Sequence, residues 1–195
     1  LDERDMNALL YTDPFAKICL LCSLAKYANK RIVYIDLDTV FSAYARNRIC
    51  SFDSNLKIFL PRENEFENIL TDICSDMKEG ELVVLDSLNS FYHLYDSIKI
   101  GSLNRLLSSY ISMLLYHTRR VHCSLLVTSM IRHRKAAEWT LAPSSRRILE
   151  AKSGVILNVV LERESGLAVT IVKHLPLKLQ SKKLLIAREQ IPIKV

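Results

Sequence analysis

Glycine is scarce in this 195-residue chain: there are four, at positions 80, 101, 154 and 166, and none in the first 79 residues. Average usage is about 7%. Because glycines let backbone N–H groups turn inward around an anion, the amino-terminal third excludes a glycine-lined phosphate cradle. No apolar run approaches the roughly eighteen residues of a membrane span. The opening LDERDMN is charged and lacks the apolar core of a signal peptide; it does not begin with Met, which leaves room for an upstream segment. Five cysteines, an odd number, argue against a disulfide framework and point to a reducing compartment. Cys19 and Cys22 form a lone CxxC in an apolar helical stretch, with no second pair and no nearby His, so they read as core residues. His93, His117, His122, His133 and His174 are scattered, and no nucleophile–base pattern emerges.

What is present is the composition of a globular protein, 49% hydrophobic and 25% charged, and 195 residues fit one domain spanning 1–195. The net charge of +6 permits an acidic partner such as nucleic acid. The most informative stretch is ELVVLDSLNS, Glu81 to Ser90. Leu82 to Leu85 run unbroken between a turn signal (Lys78-Glu79-Gly80) and Asp86, which predicts a central strand buried on both faces of a parallel sheet. Its acid then lies on the rim where open α/β sheets bind ligands. Ile32 to Ile35 form a second such strand, closing on Asp36 and Asp38.

In chain order the pattern predicts a strand over Asn7–Tyr11, a helix over Phe15–Ala28 begun by Thr12-Asp13-Pro14, and the strand ending at Asp36. A short helix (Phe41–Arg48), a strand (Leu56–Leu60), a helix (Glu63–Lys78) and the Asp86 strand follow. Then come a helix over Leu103–Thr118 and a buried strand over Cys123–Thr128. Ile131 to Ala151 breaks the periodicity and reads as a long loop. Val155–Glu162 and Leu167–Lys173 form a hairpin with Gly166 where positive φ is needed, and Lys182–Ala187 is a last strand. Alternating strands and helices predict an α/β fold with a mostly parallel sheet flanked by helices, with antiparallel hairpin strands at one edge.

With its elements in this order the chain resembles the RecA recombinase superfamily, most closely the archaeal RadA and RadB type, over most of its length. VYIDLDTVF is similar to the segment with a strand, an Asp and then a catalytic Glu and Phe; here Asp38 stands at the Glu position and Phe41 at the Phe. LKIFLPRENEFENIL resembles the next strand and helix, VVLDSLNSFYHLY the Walker B strand, SLLVTSM the strand with a polar sensor residue, and the final hairpin with KHLP the closing strands. The resemblance implies a RecA-like P-loop ATPase core, with Asp86 as the Walker B aspartate that helps hold magnesium.

The phosphate loop departs from the family. A Walker A motif reads GxxxxGK[ST]; here Thr12-Asp13-Pro14-Phe15-Ala16-Lys17 has no Gly and Ile18 replaces the magnesium-binding hydroxyl. Pro14 lacks an N–H, and Asp13 as a helix cap would place negative charge where phosphate belongs. Lys17 matches the Walker lysine in position; a solvated helix residue is the competing reading. The expectation is a degenerate nucleotide site at Lys17, Asp38 and Asp86, with no ATPase activity and no cofactor. Asp36, Asp38 and Asp86 would then be satisfied by helix N-termini or Ser/Thr hydroxyls, with a bound cation as the lesser alternative.

The segment Ile131 to Lys152, IRHRKAAEWTLAPSSRRILEAK, holds Arg132, Arg134, Lys135, Arg146, Arg147 and Lys152 against Glu138 and Glu150, with the only Trp, Trp139. Base faces stack on aromatics and phosphates pair with Arg and Lys, so these residues suit single-stranded nucleic acid. By the resemblance they stand at the second DNA-binding loop of the recombinases, and residues 92–102 at the first. The segment is expected to be mobile when free; the bland alternative is a solvated charged loop. The function so implied is a non-catalytic accessory paralogue in DNA recombination and repair, binding single-stranded DNA (or RNA), a RecA-fold recombinase, or both. It would be cytoplasmic, or nuclear if eukaryotic, and a homo- or hetero-oligomer without membrane contact. The alternative is an ATPase-dead structural subunit of a RecA-fold assembly, as in the Elongator subcomplex or the accessory recombination complexes of eukaryotes.

Overall fold

The structure, a computed structural model, describes residues 1–195 apart from 4, 51–54, 96–97, 134–138, 142, 163–165, 176–178 and 194–195, and apart from the side chains of 132–133, 139–141 and 143–146. The elements in order are β1 (Met6–Tyr11), α1 (Pro14–Tyr27), β2 (Ile32–Asp36), α2 (Val40–Arg46), β3 (Leu56–Phe59), α3 (Phe66–Asp76), β4 (Leu82–Asp86), α4 (Leu88–Leu94) and α5 (Ile100–Arg120). They continue with β5 (Ser124–His133), β6 (Trp139–Leu141), α6 (Pro143–Lys152), β7 (Ser153–Glu162), β8 (Gly166–His174), β9 (Lys183–Ile186) and a short 3-10 turn, Arg188–Gln190.

The strands form one sheet in the order β3-β2-β4-β5-β1-β7-β8-β9, with β6 paired to β5. The pairings from β3 through β7 are parallel; β8 and β9 add antiparallel strands at the edge. The strand ending at Asp86 is interior, but β5 and β1 hold the middle. Strands buried on both faces distribute alternate side chains to two cores. In β4, Leu82 and Val84 pack with α1 and Phe41 of α2, whereas Val83 and Leu85 pack with α3, α4, α5 and α6. On that second face Phe66, Phe91 and Tyr110 meet edge to face, with ring centroids 5.2 to 6.2 Å apart.

Two expectations are corrected. Residues 131–151 are not one long loop: β5 continues to His133, β6 pairs back onto it, and α6 occupies Pro143–Lys152. The helix follows from Pro at its first position and from Ile148 and Leu149, both buried against the sheet, beneath an exposed charged face. The expected mobility falls partly on residues outside the described set. Second, the odd cysteine count conceals one pair: Cys22 of α1 and Cys50 after α2 are disulfide-bonded, leaving Cys19, Cys74 and Cys123 free. Sequence separation offered no hint of this, because the pair meets only after α2 folds beside α1. Gly166 has φ +100°, and a Cβ there would lie 2.2 Å from the Ile186 carbonyl oxygen, so the hairpin does need glycine.

Candidate functional site

β1 ends at Tyr11 and α1 begins at Pro14, so only Thr12 and Asp13 connect them. Asp13 caps the helix: its side chain accepts the Phe15 N–H at 2.8 Å and its carbonyl accepts the Lys17 N–H at 3.2 Å. Pro14 lacks an N–H, and the Phe15 and Lys17 N–H groups are taken by Asp13.

From the first turn of α1 the Lys17 side chain runs inward to the carboxyl rim. It is not the solvated residue that the sequence allowed; it is fully buried. Its ammonium donates to Asp38 Oδ2 at 2.7 Å, Asp86 Oδ1 at 2.9 Å and Asp86 Oδ2 at 2.8 Å, three acceptors for three protons. The Tyr11 ring lies 5.1 Å away. Asp86, also fully buried, accepts in addition from the Tyr34 and Thr128 hydroxyls. Four hydrogen bonds from three groups, Lys17, Tyr34 and Thr128, thus occupy its lone pairs. Asp38 takes the N–H of Val40 at the start of α2, and Asp36 takes that of Ser42 at 2.7 Å. The second Asp36 oxygen, Oδ1, has no hydrogen-bond partner. The three carboxylates bring ligand atoms within 4.8 Å of one another, but the lysine ammonium already sits between two of them.

Electrostatics follow from this enclosure. Burial alone would lower the Lys17 pKa; Asp86, then Tyr11 and Asp38, reverse that and hold the ammonium above the ordinary lysine value. Burial raises Asp86, against the opposing pull of Lys17. Burial pushes Asp36 up to about 6, with the Ser42 hydrogen bonds working against the shift and the charge of Asp86, its neighbour across β2 and β4, adding to it.

Sequence reasoning missed Tyr34 and Thr128. The signal was register: Tyr34 is two residues before Asp36 on the same strand face, and Thr128 follows Val127, which pairs with Leu85. In the same row Asn89 of α4 accepts the Ser129 hydroxyl and the Met130 N–H, which ties α4 to the end of β5.

Of the predicted nucleic-acid residues, Arg132 and Lys152 lie at opposite ends of the sheet. Arg132 and Trp139 lie on the β5–β6 extension beyond the carboxyl rim, where their side chains, like that of Arg146, are not described. Arg134 and Lys135 fall outside the described residues. Arg147 is exposed on α6. Lys152, at the far end of α6, adjoins the opposite rim: Ser153 and Leu125 both align with Met6 at the start of β1, and Arg132 is seven residues further along β5. At a rise of about 3.3 Å per residue, that separates Lys152 from Arg132 by roughly 23 Å.

No family model matches the chain. It is 27% identical over 166 residues to the DNA repair and recombination protein RadB of Methanococcus maripaludis, an alignment covering 80% of this chain and 75% of that protein. The RadB recombinase crystal structure superposes with a TM-score of 0.69 at 16% identity, over 96% of this chain and 89% of the other. The chain is thus similar in sequence to RadB and has the RecA-type fold. Consistent with a shared RecA-type fold, the ATPase domain of a helicase superposes with a TM-score of 0.64 at 14% identity, over 98% of this chain and 84% of that one. No helix among the described residues is long and apolar enough to cross a membrane.

Proposed function

We propose that this protein is a non-catalytic RecA-fold accessory factor of DNA recombination and repair, acting by binding single-stranded DNA, a recombinase-type partner, or both. The observation that supports it is the ammonium of Lys17 held by Asp86 and Asp38. In P-loop ATPases the lysine serves the phosphates and the strand-end acid serves magnesium; here the two groups serve each other. Mg-ATP would have to separate a buried, hydrogen-bonded ion pair, a disruption on the order of 3–5 kcal/mol. The two-residue Thr12-Asp13 connection has no ring of N–H donors to offset it. The likeness to RadB supports the recombination and repair setting.

Isothermal titration with Mg-ATP tests the reading. No binding is expected in the micromolar range, and no phosphate release. A clear isotherm that Lys17→Ala weakens would refute it.

One observation favours a second reading, an ATPase-dead structural subunit. β9 is an edge strand whose Leu184 and Leu185, on opposite faces, are 57% and 60% exposed, and an open apolar edge is a template for pairing with another chain. Sedimentation with and without single-stranded DNA separates the two: a defined oligomer indifferent to DNA favours the second. The first reading carries a cytoplasmic location, nuclear in a eukaryotic cell. There the Cys22–Cys50 bond would rely on its burial, 0% and 4% exposed, to keep attacking thiols away.

A further inference from the structure

A groove of about 410 Å³ runs between the last turns of α5 and the end of α6, lined by Ser112, Leu115, Tyr116, Arg119, Arg120 and Lys152. On α5, Ser112, Tyr116, Arg119 and Arg120 fall at i, i+4, i+7 and i+8. They form one outward stripe opposite the face that buries Leu107, Ile111 and Leu114. Lys152 reaches across from α6 and donates to the Ser112 hydroxyl at 2.8 Å, so the two helices close the groove on a polar contact. Leu115, 6% exposed, supplies an apolar floor, and Tyr116 stands 62% exposed, its ring edge to face with that of His117 at 5.3 Å.

The charges are not balanced. Arg119 shares its charge with Asp5 at 2.7 Å. Arg120 has no carboxylate partner among the described residues, and Lys152 uses one of its three protons on Ser112. An exposed aromatic ring beside two uncompensated cations, over an apolar floor, is the chemistry that takes a base on the ring and phosphates on the cations. A second role for these cations is to offset the negative carbonyl ends of α5 and α6. That role accounts for basic residues in the last turns but not for an exposed tyrosine between them.

We propose that this α5–α6 groove binds single-stranded nucleic acid, with Arg120 and Lys152 on the phosphodiester backbone and a base laid against Tyr116. The site lies at the rim opposite the β5–β6 extension, so it goes beyond the loop-based reading and does not depend on it.

The test is fluorescence anisotropy of the full chain with a labelled oligothymidylate over a salt series, on four variants whose melting temperatures are checked against the parent. Arg120→Ala with Lys152→Ala should flatten the slope of log K against log salt by about 1.4, two contacts at roughly 0.7 each. Tyr116→Ala should weaken binding at least about 5-fold and leave the slope unchanged, and Tyr116→Trp should restore it. The fourth variant, Arg132, Arg134, Arg146 and Arg147 all to Ala, separates the two sites. If it alone loses binding while the groove variants match the parent, the groove proposal falls and the loop reading stands. If only the groove variants lose binding, the groove stands and the loop reading falls. Groove variants that melt earlier yet bind normally would mark these cations as helix-end compensation and overturn the proposal. Loss of duplex and single-strand binding alike, with Tyr116→Ala silent, would also overturn it. A parent chain that binds no oligonucleotide at low salt would overturn the groove and the DNA-binding part of the proposed function together, leaving the ATP titration unaffected.

Discussion

Replacing Lys17 by Met is the sharpest test of the buried cluster. Methionine is unbranched and nearly fills the lysine volume, so the change removes an ammonium without opening a large cavity. Asp86 then keeps its Tyr34 and Thr128 donors but loses both lysine contacts, and Asp38 keeps only the Val40 N–H. Removing one partner of a buried pair typically costs 3–5 kcal/mol, because the other charge stays buried and uncompensated. With a urea m-value of about 2 kcal/mol/M, the midpoint should drop by roughly 1.5–2.5 M. The deficit should also depend on pH. Burial already raises Asp86, and Lys17 is the group that pulls it down, so without the lysine it should rise further. A carboxyl whose folded pKa is raised favours the folded state below that pKa and loses that advantage as pH rises through it, so the deficit should grow from pH 5 to pH 8. Adding Asp86→Asn to Lys17→Met should cost far less than the two singles summed, a coupling of roughly 2–3 kcal/mol. A Lys17→Met chain within about 0.5 kcal/mol of the parent at every pH, with no coupling to Asp86→Asn, would refute a structural role for the pair; surface changes routinely fall within that margin.

Two further outcomes are expected. Asp36 titrates near 6 when folded against 3.8 unfolded, so its contribution is most favourable below about pH 4 and is lost as pH rises through 6. Asp36→Asn should therefore add roughly 2–3 kcal/mol at pH 8 and little at pH 4, read from urea midpoints at the two pH values; equal effects at both would contradict the burial argument. Alkylation in denaturant without reductant should modify three cysteines, Cys19, Cys74 and Cys123, and spare the Cys22–Cys50 pair, whose residues are 28 apart in sequence. Reduction should destabilise the chain by about 3–4 kcal/mol through the loop it frees; five modified cysteines without reductant would refute the bond.

Most of the fold was legible because its signals are local. The runs Ile32–Ile35 and Leu82–Leu85 announce two-sided burial by lacking polar residues. The stripe of Leu103, Leu107, Ile111 and Leu114 has the helical period, and Gly166 marks its turn by the φ that only glycine takes easily. The absence of glycine from the first 79 residues, and Pro14 at the start of α1, are equally local. α6 was hidden because its charged face dominates the composition of residues 131–152, while Ile148 and Leu149, the residues that decide it, become informative only against a sheet.

What tertiary structure alone decided concerns groups far apart in sequence. Lys17, Tyr34, Asp38, Asp86 and Thr128 come from three strands, a helix and a helix N-terminus. Nothing in their local windows distinguishes a lysine that reaches inward from one that points to water. The same holds for Cys22 and Cys50, which meet because α2 returns to α1, and for Lys152, which the sequence groups with Arg132 and the sheet sets at the opposite rim. Local sequence governs which torsions and which faces are favourable. The partners that neutralise a buried charge depend on strand order and register, and these are settled only when the whole sheet forms.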